Sequence, residues 1–230
     1  MGSYVEKMGN ELGPVFLHCR QKFIATTRVW DIYCVLFGNK ERVDLLNRSS
    51  GFVAMHLHWQ FLGGTILGLL RLLDPPATMG KPNLTFRSLP KLVSVDLANE
   101  LAERVESLRN LCNGLKNVRD KILAHNDLRQ VAGEEEPIEI ESRKAITQIV
   151  MEMLGVLNLI ENHYMKAITV IQPFGNEPAY KLLHRLWLAD FLLSRSSKNR
   201  TSEAFAIAPN ELLQTPGYLK TTDEEDRRCN

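Results

Sequence analysis

Apolar residues recur at intervals of three and four along most of the chain, which is the pattern of helices that bury one face. The clearest run follows Asp96, whose side chain is a good helix N-cap. Its apolar positions are Leu101, Val105, Leu108, Cys112, Leu115 and Ile122. We predict one long helix from Asp96 to about Asp127, with a bend at Asn113 and Gly114 because glycine weakens a helix interior.

Further runs of the same period predict four other long helices. They cover residues 15–37, 51–73, 138–169 and 180–193. Gly13 and Pro14 are expected to separate the first of these from a short N-terminal helix, because proline suits the first turn of a helix. In the helix over 51–73, the spacing of Gly64 and Gly68 predicts close approach by a neighbouring helix. No strand, repeat or glycine-rich phosphate loop is apparent, so the predicted fold is all-α, an up-down bundle of four to five long helices.

The pattern also predicts how the chain is divided. Residues 1–13 are expected to form the short N-terminal helix, and residues 14–170 the helical bundle. Residues 171–195 form an amphipathic C-terminal helix whose apolar face needs a place on the bundle or on a second subunit. Residues 196–230 are rich in Ser, Arg, Thr and Glu and are expected to be a mobile tail.

Overall charge gives no sign of a polyanion partner. Lys and Arg total 28 and Asp and Glu total 27, so the formal net charge is +1. Between Arg104 and Arg129, six basic residues outnumber three acidic ones. This local excess is equally consistent with a nucleic-acid contact and with a solvated basic helix face.

The four cysteines have no CxxC spacing and no secretory leader precedes them, which predicts reduced thiols in a cytoplasmic protein. No membrane span is expected, because the most apolar run without a strongly polar residue, Phe61–Leu70, is too short. His56 and His58 lie about 200° apart on a helix, which argues against a shared metal ion. No metal or cofactor site is predicted.

Arg119 falls on the apolar seam of the Asp96 helix, between Leu115 and Ile122. At about 100° of rotation per residue, Arg119 and His125 lie about 60° to either side of Ile122. One interpretation is structural, with Arg119 paired to a carboxylate of another helix and His125 an ordinary boundary histidine. The other makes them one site, because a permanent cation suits a phosphate and an imidazole transfers protons near neutral pH. Together they would suffice to cleave RNA without a metal ion.

The string RDKILAHND, residues 119–127, resembles the Arg-polar-x-x-x-x-His motif of the HEPN superfamily (higher eukaryotes and prokaryotes nucleotide-binding). The resemblance continues upstream in ELGPVF, WDIYCVLF, LLRLLDPP and KPNLTFRSLPKLV. Together these segments are similar to the abortive-infection, Abi-U-like branch of HEPN proteins. The similarity covers residues 11–169 and fades after them.

This resemblance implies a metal-independent endoribonuclease that acts in phage defence or as a toxin, with Arg119 and His125 as catalytic residues. RNA would be cleaved by attack of the 2′-OH, which leaves 2′,3′-cyclic phosphate and 5′-OH ends. The resemblance also implies a homodimer in which two motifs face each other, with RNA as substrate and an antitoxin or phage-derived trigger as further partner. The alternative is a non-catalytic HEPN module that binds a nucleotide, RNA or a protein.

Five neighbouring residues are given supporting roles. Asp120 is expected to orient the site, Asn126 to hold a phosphate or Arg119, and Asp127 to end the helix or orient His125. Lys116 and Lys121 are candidates for binding the substrate. Arg71 and Asp74 also match the family stretch, and the sequence leaves open whether they pair with each other on one helix face or support Arg119.

Overall fold

The structure is a computed structural model that describes residues 2–123, 141–170, 176–198 and 216–219. These residues are almost entirely helical. The α-helices are α1 (Gly2–Phe37), α2 (Lys40–Arg71), α3 (Val95–Leu111), α4 (Asn113–Val118), α5 (Arg143–Met165) and α6 (Asn176–Lys198). The strands β1 (Ala77–Thr78) and β2 (Lys81–Pro82) form a two-residue antiparallel hairpin. Short 3-10 helices cover Phe86–Lys91 and Gly217–Leu219, and Arg119–Leu123 forms a π-helical turn. The prediction of an all-α fold is confirmed.

Helix α1 is broken at Gly9, not at the expected Gly13 and Pro14. Gly9 has φ 81°, a left-handed value that glycine adopts at little cost. Gly13 lies inside the continuous helix. A small residue fits this position, because a Cβ atom at Gly13 would lie 2.8 Å from the carbonyl oxygen of Tyr4. The first turns therefore fold back onto Gly13, and Pro14 is accommodated within the helix.

Helix α2 is interrupted at Ser50, directly before the start of the predicted helix over residues 51–73. Further along, a Cβ atom at Gly68 would lie 2.5 Å from the hydroxyl oxygen of Thr26. The close approach predicted from the Gly64 and Gly68 spacing is therefore confirmed at Gly68, where the neighbour is α1.

Two compact units can be distinguished. The first consists of residues 1–27 and 63–172. In this unit α3 contacts α5, as the sequence predicts. The facing apolar residues are fully or nearly fully buried and include Leu101, Val105, Leu108, Ile149, Met153 and Leu157. Burial of each such side chain contributes about 1.5–3 kcal/mol to folding.

The second unit consists of residues 28–62 and 173–230. In this unit the apolar face of α6 is covered, because Leu183 is packed among Val35, Leu36 and Leu45. The buried Arg42 donates hydrogen bonds to the carbonyl oxygens of Val35 and Tyr218. The domain boundaries proposed from the sequence stay a prediction.

Cys19 and Cys112 are buried free thiols, and burial raises the pKa of Cys19 to about 12 and of Cys112 to about 11. Cys34 is disulfide-bonded, so the expectation of a reduced thiol is wrong for this residue. The reason is physical: pairing depends on proximity in the fold, which cysteine spacing does not reveal. In the described part of the chain, no helix has the length and apolar character needed to cross a bilayer.

Candidate functional site

The helix that leads to Arg119 is not continuous. It begins after Ser94, and Asp96 lies in its first turn instead of at the predicted cap position. A hydrogen bond with the Ser94 side chain lowers the pKa of Asp96. The break falls at Cys112, directly before the predicted bend at Asn113 and Gly114.

Gly114 makes room next to this break for a side chain that the sequence pattern does not point to. A Cβ atom there would collide with the carboxylate of Glu141 unless that side chain moved, because the carboxylate lies against the backbone of α4. The glycine therefore lets the chain that precedes α5 approach α4 closely. It weakens the helix locally and also makes room for a neighbouring side chain.

Arg119 begins the π-helical turn Arg119–Leu123. A π-helix has i to i+5 hydrogen bonds and more residues per turn than an α-helix, so each residue rotates by less than 100°. The predicted placement of Arg119 and His125 at about 60° on either side of Ile122 assumes a regular α-helix, from which the turn Arg119–Leu123 departs. His125 lies outside the described residues, so the placement of the pair stays a prediction. Single π-helical turns often occur at functional sites.

The guanidinium of Arg119 lies between two carboxylates. Its Nε atom donates a hydrogen bond to Oδ1 of Asp120 at 2.6 Å, and its Nη1 atom lies 3.7 Å from Oδ1 of Asp74. The side chain remains 31% exposed. The hydrogen bond to Asp120 raises the pKa of Arg119 above its already high usual value, and the charge of Asp74 acts in the same direction. Arg119 is therefore a permanent, oriented cation with one face open to solvent.

The backbone of Asp74 is held in place by Thr85 and Phe86, which follow the hairpin. The single hydroxyl hydrogen of Thr85 is shared between the carbonyl oxygens of Leu72 and Asp74, at 3.0 and 2.8 Å, and the backbone N–H of Phe86 donates to the carbonyl oxygen of Leu72 at 2.8 Å. Thr85 is completely buried, so these bonds are shielded from water. They fix the backbone that carries the Asp74 carboxylate toward Arg119.

The contacts of Asp74 differ from a pairing with Arg71 on one helix face. Arg71 is exposed, and within the described residues no ion pair joins it to Asp74. Asp74 contacts Arg119 instead, although the two residues are far apart in sequence. A supporting role of Asp74 at the Arg119 site stays a prediction.

The other predicted site residues lie in different situations. Lys116 donates hydrogen bonds to the carbonyl oxygen of Arg109 and to Oδ1 of Asn113, so its ammonium group bridges the break between α3 and α4. Lys121 is partly buried on the π-helical turn, and Asp120 is mostly exposed. His125, Asn126 and Asp127 lie outside the described residues. The roles given to these residues stay predictions.

Two features were not found from the sequence. A groove of about 410 Å³ lies between α3 and α5, over a floor formed by Leu108 and Val156, and it contains none of the predicted site residues. Glu161, buried on α5, accepts hydrogen bonds from Tyr4 and Thr169, and Arg20 lies 3.5 Å away. Its only sequence signal is an acidic residue next to the apolar positions of α5. Within the described residues, no group of three or more His, Cys, Asp or Glu side chains is placed to bind a metal ion.

Comparison with protein families gives a direct result. The model of the AbiU2 family of HEPN domains matches residues 10–182, which is more than half of the chain. The chain belongs to the HEPN AbiU2 family. The resemblance stated from the sequence is therefore confirmed, and the matched range includes both Asp74 and Arg119. Comparisons with curated proteins and with solved structures each give no match.

Membership in the HEPN AbiU2 family gives the function in outline. The chain is an abortive-infection module of the HEPN type. In this HEPN chain the arginine of the motif is Arg119, at the point where α-helix gives way to a π-helical turn.

Proposed function

We propose that this HEPN AbiU2 chain is a metal-independent endoribonuclease that acts in phage defence or as a toxin. The observation that supports this proposal most strongly is the state of Arg119. Its guanidinium is charged, partly exposed and oriented by two carboxylates, in a motif that the family model covers. An oriented cation of this kind can stabilise the negative charge that develops on a phosphoryl group.

The proposed reaction needs only the two motif residues. His125 accepts the proton of the ribose 2′-OH, whose oxygen attacks the adjacent phosphorus atom. The bond to the 5′-oxygen breaks, and that oxygen receives a proton from an imidazolium, either the same His125 or that of a second subunit. Arg119 neutralises the charge on the non-bridging oxygens. The products carry a 2′,3′-cyclic phosphate and a 5′-OH.

Asp74 and Asp120 contribute by holding Arg119 before the substrate arrives. A guanidinium has five N–H donors, and the contacts to these carboxylates use its Nε and Nη1 atoms. The Nη2 side can therefore meet a phosphate while the carboxylates keep the side chain fixed. Preorganised charges stabilise a transition state without reorganisation at the moment of reaction. The proposal assigns Lys116 and Lys121 to the flanking phosphates, and Asn126 and Asp127 to the surroundings of His125.

The proposal includes partners that follow from family membership. It assumes a cytoplasmic homodimer, which would place two copies of Arg119 and His125 around one substrate. It further assumes an RNA substrate and regulation by an antitoxin or a phage-derived trigger.

A second candidate is a non-catalytic HEPN module that binds a nucleotide, RNA or a protein. It is favoured by one observation, which is that Arg119 is already neutralised by Asp74 and Asp120. The phosphoryl group of a transition state must compete with these two carboxylates for Arg119, and this competition weakens the charge stabilisation that cleavage needs.

The decisive experiment is cleavage of a mixed RNA pool by the purified full chain in the presence of EDTA. We expect cleavage by the wild-type protein and a loss of at least about 100-fold in the variants Arg119→Ala and His125→Ala. Arg109→Ala is the matched control, because Arg109 is an exposed arginine whose side chain pairs only with Glu106 in the described part of the chain. Wild-type protein that binds RNA without cutting it would instead support the binding module.

A further inference from the structure

The segment that follows Asp74 carries positive charge and no negative charge. From residue 75 to residue 95 the sequence contains no Asp or Glu, whereas Lys81, Arg87 and Lys91 are basic. We call residues 75–91 the basic segment. It contains the β-hairpin and the 3-10 helix that follows the hairpin. A chain with a formal net charge of only +1 therefore has a local excess of positive charge directly after the residue that contacts the motif arginine.

The three basic side chains of this segment are not neutralised by carboxylates nearby. In the part of the chain that the structure describes, none of them forms an ion pair. Lys81 and Lys91 are exposed, and Arg87 is partly buried. Arginines elsewhere in the same unit do have carboxylate partners, as Arg104 has in Glu100 at 3.0 Å. The basic segment can therefore pair with an anion from outside the chain, which gains charge-assisted hydrogen bonds there.

Two hydrogen bonds in series connect the backbone of Arg87 to that of Asp74. The backbone N–H of Arg87 donates to the hydroxyl oxygen of Thr85 at 3.2 Å, and the Thr85 hydroxyl lies 2.8 Å from the carbonyl oxygen of Asp74, to which it donates. The carboxylate of Asp74 in turn lies 3.7 Å from the guanidinium of Arg119. The backbone of Arg87 is therefore fixed close to a residue that contacts Arg119.

Asn83 closes the hairpin that carries Lys81. Its side-chain amide donates to the carbonyl oxygen of Pro75 at 2.8 Å and to Oγ1 of Thr78 at 2.7 Å. Lys81 is paired with Thr78 across the hairpin, and Pro75 directly follows Asp74 in the chain. Proline has a fixed φ, so the base of the hairpin has little conformational freedom. Lys81 therefore lies on a closed hairpin whose base adjoins Asp74.

We propose that the basic segment binds the backbone of single-stranded RNA beside the phosphate at Arg119, with Lys81 and Arg87 as the main contacts. The inference rests on the proposed function and names where the rest of the substrate strand lies. Every nucleotide carries one phosphate, so a strand that reaches Arg119 brings further negative charges to neighbouring cations. An RNA strand is favoured over an acidic protein because these cations adjoin a site proposed to act on a phosphodiester. Such contacts position the strand without reading its sequence.

The test measures binding of a short, fluorescently labelled, single-stranded 2′-O-methyl RNA to the full chain by anisotropy. This RNA has no free 2′-OH and cannot be cut by the proposed reaction, so binding is measured apart from cleavage. We expect the dissociation constant to rise about three- to fivefold in each of the variants Lys81→Gln and Arg87→Gln. The slope of log affinity against log salt concentration should become shallower by about 0.7 per variant, the value for one lost phosphate contact. Arg87→Lys keeps the charge and should recover most of the affinity.

Lys40→Gln and Arg185→Gln are the matched controls, since each removes an exposed positive charge of the second unit that has no ion pair within the described residues. We expect both controls to bind as the wild type does. The proposal is overturned if the wild-type chain does not bind the RNA, if Lys81→Gln and Arg87→Gln bind it unchanged, or if the controls lose as much affinity.

Poly-glutamate serves as a competitor that separates an RNA strand from an acidic protein. Displacement of the RNA by poly-glutamate at equal charge concentration would point to an acidic protein partner and would also overturn the proposal. Cleavage of unmodified RNA by the same samples is a separate readout. Binding through the basic segment without cleavage therefore contradicts only the nuclease proposal.

Discussion

Nη1 of Arg119 lies 3.7 Å from Oδ1 of Asp74, and this distance joins the motif helix to the end of α2. The contact depends on a buried threonine, Thr85, which fixes the backbone at Leu72 and Asp74. In this HEPN AbiU2 chain the orientation of the motif arginine is therefore determined by a turn distant from it in sequence. In the proposed function, Asp74 acts through Arg119 and is therefore assigned the part of a positioning residue.

The first prediction concerns the variant Asp74→Asn, which keeps the size of the side chain and removes its charge. If Arg119 is the phosphate-binding group, we expect kcat to fall roughly tenfold because the guanidinium is less well oriented. KM is expected to fall or stay constant, because the competing negative charge is gone. Single-turnover cleavage kinetics with chelator present separate the two effects.

The matched control for Asp74→Asn is Asp190→Asn, which removes a carboxylate paired with a different arginine, Arg48. An equal fall of kcat in both variants would show that Asp74 has no special relation to the site. Rescue by Asp74→Glu would support the positioning role, since the longer side chain restores the charge.

A second prediction concerns Gly13. In Gly13→Ala the new Cβ atom meets the backbone of Tyr4 and Val5, and backbone atoms cannot move aside cheaply. We expect the free energy of unfolding to fall by about 1–3 kcal/mol. Gly51→Ala serves as control, because its Cβ atom would meet nothing closer than 3.9 Å and alanine favours a helix by up to about 1 kcal/mol. Urea denaturation measures both, and equal stability of the two variants would refute the close contact.

A third prediction is a pH dependence that originates at Asp31. Burial raises the pKa of this carboxyl from 3.8 to about 6. A carboxyl with a raised pKa in the folded state stabilises the fold below its unfolded pKa, and this contribution is lost as the pH rises through 6. Asp31→Asn should therefore raise the free energy of unfolding at pH 7.5 by an amount on the order of 1–2 kcal/mol. Thermal denaturation should show this gain as a higher melting temperature. The gain should disappear near pH 3.5, and a gain that is the same at both pH values would contradict this origin.

A fourth prediction concerns the buried carboxylate of Glu161. Tyr4 donates a hydrogen bond to Glu161 at 2.7 Å, and the raised pKa of Tyr4, due first to burial and then to this bond, keeps the hydroxyl protonated. Tyr4→Phe should lower the free energy of unfolding by about 1 kcal/mol. A double-mutant cycle with Glu161→Gln is expected to give a coupling energy of at least about 0.5 kcal/mol. Strictly additive effects would show that the two side chains do not interact.

The sequence was sufficient for features that depend on local periodicity. The apolar positions of α3 and α5 are buried where the interval of three and four places them, and the two helices contact each other as expected. The family resemblance likewise was readable without any knowledge of the fold, and the match over residues 10–182 confirms it. These features repeat within a few residues and leave a pattern in the chain.

Other features could not be predicted because they join residues that are distant in sequence. The residues around Gly13 do not indicate that Tyr4 lies against it. The sequence pattern therefore predicts the helix break at Gly13, whereas the structure has it at Gly9. The contact between Asp74 and Arg119 depends on how the hairpin closes after α2. A π-helical turn has no distinct apolar period over five residues, so the sequence pattern does not distinguish the turn at Arg119–Leu123 from a regular α-helix.

The π-helical turn at Arg119–Leu123 has a consequence for the length of the chain itself. Such a turn accommodates one residue more than the regular winding would hold. Deleting a single residue within it would restore regular α-helical winding without a net rotation of the residues that follow, because the wide turn already absorbs one residue. The same deletion within α3 would rotate every later residue of the helix by about 100°. A one-residue deletion should therefore be tolerated better in the π-helical turn than in the regular helix before it.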